Sequence, residues 1–146
     1  MRVPDRRVEP LRHHDLCFGC GQANLFGLQL EMEPAGDGAA SGRFFVKQDH
    51  QGPPGFAHGG ILATALDEAM SLLVHATFGL AYTASIDVRL AAPAPVGSFV
   101  FLESRLEEQH GRRISASARA TSAEGNEGGQ ELATATAVFV EQRPVG

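Results

Sequence analysis

Apolar residues recur along this chain with two different periods. Leu28-Gln29-Leu30-Glu31-Met32 alternates apolar and polar positions, the pattern of a half-buried strand. After the turn Gly36-Asp37-Gly38, Ala40 to Lys47 carries Phe44, Phe45 and Val46, so the two runs predict a hairpin. From about Gly60 to Phe78 the period changes to that of a helix. At 100° per residue, Ile61, Leu62, Ala65, Leu66, Ala69, Leu72, Leu73 and Ala76 share one arc. The opposite side holds Gly60, Ala63, Thr64, Asp67, Met70, Ser71 and Val74, which are small and only lightly polar. A helix facing water carries more Lys, Glu and Arg, so both faces are expected to be covered, one by a sheet and the other by a second subunit or a ligand. Alternation then returns at Thr83–Leu90, Phe99–Leu106, Arg112–Thr121 and Gln130–Glu141, with Ala91 to Pro95 and the glycine-rich Ser122–Gly129 as breaks. The last two runs are rich in Ala, Ser and Thr, which let a helix approach a sheet closely. The order β-β-α-β-β-β-β predicts a single α+β domain: one long antiparallel sheet around one central helix.

Composition adds limits. A chain of 146 residues can bury a core without disulfides or metal, and its formal charge of −5 leaves no basic excess for binding nucleic acid. Residues 1–15 are charged, contain prolines and lack periodicity, so they read as a flexible lead-in to a domain over 16–146. They also lack the apolar core of a signal peptide, and no apolar run is read as approaching the roughly 18 residues of a membrane span, so the expectation is a cytoplasmic protein with no membrane partner. The two cysteines form Cys17-Phe18-Gly19-Cys20. A zinc site would need two further ligands, for which His13 and His14 are nearest. A redox pair belongs at a strand-to-helix junction, whereas Gly21, Asn24 and Gly27 read as loop. A structural turn, with no metal and no cofactor, is the expectation.

The candidate chemistry lies in Gly52–Ser71, GPPGFAHGGILATALDEAMS. Pro53, Pro54 and Gly55 make a stiff turn. Gly59 and Gly60 then let a ligand approach the first N–H groups of the helix, which have no intrahelical partner and carry partial positive charge. Aimed at a carbonyl, they can hold the oxyanion of an acyl transfer. Asp67 lies almost on the face of Gly60 with no local cation, a candidate base or nucleophile. Glu68, about 100° round the helix between Thr64 and His75, is either a solvated residue, a partner of His75 or a substrate-facing acid. Gly59 and Asp67 are separated by about 12 Å along the helix axis at ~1.5 Å per residue. Two groups that must each act at about 3 Å cannot share one carbonyl across that gap. If both act on one substrate, they come from two copies of the chain, as in a symmetric dimer with two composite sites.

His58-Gly59-Gly60 followed by Asp67, after a Pro-Gly turn and before a long antiparallel sheet, resembles the hotdog-fold acyl-CoA thioesterases. The likeness is to the PaaI-like branch of the 4-hydroxybenzoyl-CoA thioesterase superfamily and to mitochondrial thioesterase-superfamily members. ASIDVRLAAPAPVG is similar to the strand and proline turn that follow the helix in those proteins, and Cys17-Phe18-Gly19-Cys20-Gly21 with Asn24, Gly27 and Leu28 is similar to a lead-in found in many of them. The resemblance implies a hotdog fold and hydrolysis of an acyl- or aryl-CoA thioester in a homodimer or dimer of dimers (a homotetramer). It makes Asp67 the catalytic carboxylate, Gly59 the oxyanion donor and Thr83, sixteen residues after the acid, an assisting group. His58 shapes the turn, orients the thioester or is a buried structural histidine. CoA phosphates need cations, for which Arg89, Arg112 and Arg113 are the candidates; Gly60 and Glu68 complete the substrate-side set. The alternatives are a non-catalytic acyl-CoA binding or sensing module, and a dehydratase using His50 upstream of the acid.

Overall fold

The computed structural model describes residues 9–124 and 128–142. Six strands form one antiparallel sheet, and a single long helix lies against one face of it. In chain order these are β1 (Glu31–Pro34), β2 (Ala39–Phe45), α1 (Gly59–Phe78), β3 (Ala81–Leu90), β4 (Phe99–His110), β5 (Arg113–Thr121) and β6 (Glu131–Glu141). The spatial order is β1-β2-β4-β5-β6-β3, so the strand that follows the helix crosses to the far edge. The predicted element order and α+β class are therefore observed.

The helix packs where the sheet has small side chains. Ala116, Ala118 and Ala120 on β5 and Ala133, Ala135 and Ala137 on β6 are all buried. The buried residues of the helix include Leu62, Ala65, Leu66, Ala69, Leu72 and Leu73 from the expected apolar arc, whose members Ile61 and Ala76 are half-exposed and exposed, together with Met70 and Val74 from the opposite side, which the chain itself covers. The helix stops at Gly79, whose φ of 92° is available to glycine and whose N–H donates to the His75 carbonyl at 2.9 Å. Its 20 residues and mean hydropathy of 1.3 match a membrane span in length and composition, which corrects the expectation that no apolar run approaches that length. Here that hydropathy belongs to a helix packed in a core.

Two segments differ from expectation. The first strand begins at Glu31 rather than Leu28, because Gln29 adopts φ 51°, outside the strand region. Leu28 and Leu30 are still buried, but their N–H groups donate to Phe18 and Gly19 carbonyls, each at 2.9 Å. Residues 9–15 are anchored rather than loose: the Leu11 N–H donates to the Met32 carbonyl at 2.7 Å, and His13 reaches the helix. The part of the expected lead-in over 1–8 lies outside the described residues, as does 125–127 of the turn before β6. A 3-10 turn, Gln48–His50, precedes the proline-glycine segment.

Candidate active site

The start of α1 is built by its own sequence. His58 is extended (φ −62°, ψ 139°) and caps the helix, its Nδ1 accepting the Gly60 N–H at 2.8 Å. The His58 N–H in turn donates to the His50 carbonyl at 2.8 Å, fixing the angle at which the chain enters the helix. Of the three roles open to His58, the buried one is excluded, since the residue is exposed; shaping the turn is the role its geometry performs. The two glycines thus differ. Gly60 has its N–H occupied by His58, whereas the Gly59 N–H has no partner among the described residues. A Cβ on Gly59 would stand 2.9 Å from Leu90 Cδ1, so β3 closes one side of this donor.

Two turns along, Asp67 is half-buried and its Oδ1 accepts the Thr83 hydroxyl at 2.6 Å. Burial raises its pKa above the usual carboxylate range; the Thr83 hydrogen bond opposes this, the Glu68 charge adds to it and His13 opposes it. Asp67 and Thr83 therefore meet within one chain, while Gly59 sits eight residues back on the same regular helix, the ~12 Å axial gap that the sequence implied. No single chain brings the free donor to the acid. A concavity of ≈ 620 Å³ on the sheet, lined by Arg43, Arg105, Arg119 and Glu103 among others, includes neither of them.

The remaining candidates separate. Arg89 lies one residue from Leu90 on β3, at the Gly59 end. Arg113 pairs with Val140, which pairs with Tyr82, so Arg112 and Arg113 stand at the Thr83 end of the sheet. Arg112 is partly committed, its Nε and Nη2 donating to the Glu141 carbonyl at 3.1 and 3.0 Å. Glu68 is corrected on every count. It is 8% exposed rather than solvated, and its partner is His13 Nδ1 at 2.9 Å rather than His75. Its carboxylate also accepts the Cys17 thiol at 3.3 Å, so it faces the N-terminal loop and not a substrate. Hydrogen bonds from His13 and Cys20 hold its pKa down against burial. His50, the residue on which a dehydratase would depend, is 1% exposed, with Nδ1 accepting the Lys47 N–H and Nε2 bonded to the Gly27 carbonyl. It has no free nitrogen to offer a hydroxyacyl group.

What sequence reasoning missed is the contact between the Cys17–Cys20 loop and the helix. No periodicity announces a partner 51 residues away, although two cysteines, His13 and an adjacent pair of acids were each visible.

Residues 54–128 match the family model described as thioesterase superfamily, half of the chain. The chain is 33% identical over 94 residues to acyl-coenzyme A thioesterase THEM4 of Xenopus laevis, covering 64% of this chain and 41% of that protein. It thus spans less than half the length of that curated relative. Among solved structures, the thioesterase superfamily protein RHA08564 superposes with a TM-score of 0.77 at 25% identity, over 87% of this chain and 61% of the other. The E. coli PaaI protein from the phenylacetic acid degradation operon superposes with a TM-score of 0.70 at 14% identity, over 80% and 81%, a likeness of fold.

Proposed function

The chain belongs to the thioesterase superfamily, with its hotdog fold, and from that premise we propose that it hydrolyses an acyl- or aryl-CoA thioester to the free acid and CoA. The observation that carries this reading is the half-buried Asp67 carboxylate, hydrogen-bonded on one oxygen by Thr83 and without a cation on its own helix face. The thioesterase named among the curated relatives supports the substrate class.

In this reading Thr83 occupies Oδ1 and leaves Oδ2 for the reaction. Asp67 either takes a proton from water as the water oxygen attacks the thioester carbon, or attacks that carbon itself and is freed by water afterwards. The carbonyl oxygen becomes an oxyanion, held by the Gly59 N–H of the partner subunit. Collapse of the tetrahedral intermediate breaks the C–S bond and the CoA thiolate leaves; it takes up the proton that Asp67 removed from water or, in the nucleophilic route, one released when water cleaves the acyl–Asp67 anhydride. The open edge of β3 supports the dimer. That strand pairs only with β6 among the described residues, and Leu80, Tyr82, Ile86 and Leu90 are exposed along it. An unpaired apolar edge of this length invites a second copy.

Two experiments test the proposal. Thiol release across a panel of aliphatic and aryl CoA esters is expected to find a substrate; a chain that binds these esters but releases no thiol would be a binding or sensing module instead. Complementation tests the composite site. Gly59→Pro removes the free N–H at the first helical position, where the extended His58 suits proline and the exposed Leu90 side chain can turn away from the added Cβ. Mixed with Asp67→Asn chains, each inactive alone, it is expected to restore about a quarter of wild-type activity, because half of the random dimers hold one intact site. No recovery in verified mixed dimers would place each site within one chain and overturn the composite arrangement.

A further inference from the structure

We propose that His13, Cys17, Cys20 and Glu68 form a tetrahedral site for a zinc-type divalent metal, which staples the N-terminal loop to the central helix. One ligand atom from each residue, imidazole nitrogen, two sulfurs and carboxylate oxygen, lies within 4.8 Å of all the others. His13 Nδ1 is 2.9 Å from Glu68 Oε2, Cys17 Sγ is 3.3 Å from the same oxygen, and Cys17 Sγ is 3.7 Å from His13 Nδ1. Zinc bonds of about 2.3 Å to sulfur and 2.0–2.1 Å to nitrogen or oxygen set tetrahedral edges of about 3.3–3.8 Å. The three distances among His13, Cys17 and Glu68 lie within about half an ångström of those edges, and the 4.8 Å bound on the whole set leaves at most about an ångström for Cys20 to close. The expectation of a plain turn accounted for the loop's shape; it did not account for where the four donors point.

The loop is folded to present those donors. The Gly21 N–H donates to the Cys17 carbonyl at 2.8 Å and the Cys17 N–H to the His14 carbonyl at 3.2 Å, curling both sulfurs to one side. Asn24 ties the loop together, its Nδ2 donating to the Leu16 carbonyl at 3.1 Å and its Oδ1 accepting the Phe26 and Gly27 N–H groups at 3.2 Å. At Gly19 an added Cβ would lie 2.5 Å from Glu68 Cδ, so only glycine lets the carboxylate in. The Cys20 sulfur, fully buried, accepts the His13 backbone N–H at 3.2 Å. On the far side of the imidazole, His13 Nε2 lies 3.2 Å from Ser71 Oγ, which fixes the ring with Nδ1 towards the cluster, as the outer partner of a metal-bound histidine does.

Two sulfurs, an imidazole and one carboxylate suit zinc far better than calcium or magnesium, which take oxygen ligands. Four protein ligands leave no open position, so the metal is structural and takes no part in thioester cleavage.

The test uses the full chain, purified under reducing conditions from zinc-supplemented culture and dialysed. Elemental analysis is expected to find one zinc per chain. Stripped of it, the protein is expected to melt at lower temperature and, on adding cobalt(II), to show the thiolate-to-metal charge-transfer and tetrahedral d–d bands. Cys17→Ser and Cys20→Ser are each expected to diminish those bands, and Glu68→Gln to weaken cobalt binding at least tenfold. Folded, reduced wild-type protein that retains no metal and gives no cobalt bands would overturn the proposal in favour of a proton-held His13–Glu68 pair. A Cys17–Cys20 disulfide in protein alkylated at lysis would overturn it as well. The wild-type spectra decide the matter if a variant fails to fold, and neither readout depends on hydrolysis.

Discussion

Asp67 and Glu68 are adjacent on one helix, carry the same functional group and have opposite surroundings. Asp67 faces the side of α1 bounded by the open edge strand β3, with one hydrogen bond and a pKa raised by burial. Glu68, a third of a turn away, faces the closed side, where His13 and Cys17 bind its carboxylate and hydrogen bonds hold its pKa down. Burial acts on both, so depth alone does not separate them. Compensation does: a buried carboxylate with several partners is fixed in its charge and holds structure together, whereas one left under-compensated on an open face retains free energy for chemistry.

The largest effects break this contrast one acid at a time. Asp67→Asn keeps the shape and can still accept from Thr83 but removes the base; thiol release is expected to fall about 10²–10⁴-fold with the melting temperature and assembly unchanged. Equal activity in the variant across the CoA-ester panel would take the role away from Asp67. Glu68→Gln is expected to do the reverse in kind. It removes the buried carboxylate that ties the N-terminal loop to α1, through a shared metal or directly to His13, and losing such a contact costs about 3 kcal/mol, read as a lower urea midpoint. Should Glu68→Gln abolish turnover while leaving stability intact, the two acids would exchange roles.

A smaller change sharpens the open side. Thr83→Val removes the hydroxyl that donates to Asp67 Oδ1 at 2.6 Å while preserving the branched shape suited to β3. A hydrogen bond to a charged group contributes about 1.5 kcal/mol, so kcat/KM is expected to drop about tenfold with stability held within a few tenths of a kcal/mol. A loss confined to stability would make Thr83 a strand residue and nothing more.

The open side was legible in the sequence and the closed side was not, for a physical reason. Gly59, Asp67 and the apolar arc lie on one helix, where spacing converts directly into distance and face, and Thr83 came with the resemblance at a fixed interval after the acid. The strands from β2 to β6 likewise follow from local alternation, although strand order does not: nothing in Ala81–Leu90 says that it pairs with the last strand rather than the next. The His13–Glu68 contact joins an aperiodic loop to a helix position that reads as solvated by its own neighbours. Gln29 is similar in kind. Its left-handed backbone lets Leu28 and Leu30 face inward while their N–H groups turn to the cysteine loop, and alternation alone mistakes this for strand.

The same contrast reaches the histidine that supports the helix start. His50 is buried under the His58 turn, its ring edge against Phe44, with Lys47 and Asp49 as its charged neighbours. Nδ1 accepts the Lys47 N–H at 3.0 Å, so Nε2 carries the proton and donates to the Gly27 carbonyl at 3.1 Å. A second proton would face an N–H donor, and burial together with Lys47 keeps the folded pKa below 6.5, against the opposing pull of Gly27 and Asp49. Below pH 6.5 the unfolded chain therefore takes up a proton that the folded chain refuses. Stability falls with pH in that window, by at most about 1.4 kcal/mol per unit, until the folded pKa is reached; above 6.5 His50 contributes no slope. His50→Gln retains a donor and an acceptor but cannot titrate. The difference in urea midpoint between wild type and variant is accordingly expected to shrink from pH 7.5 to pH 5. A difference independent of pH would mean that His50 is protonated in the fold, with its contact to the Lys47 N–H broken.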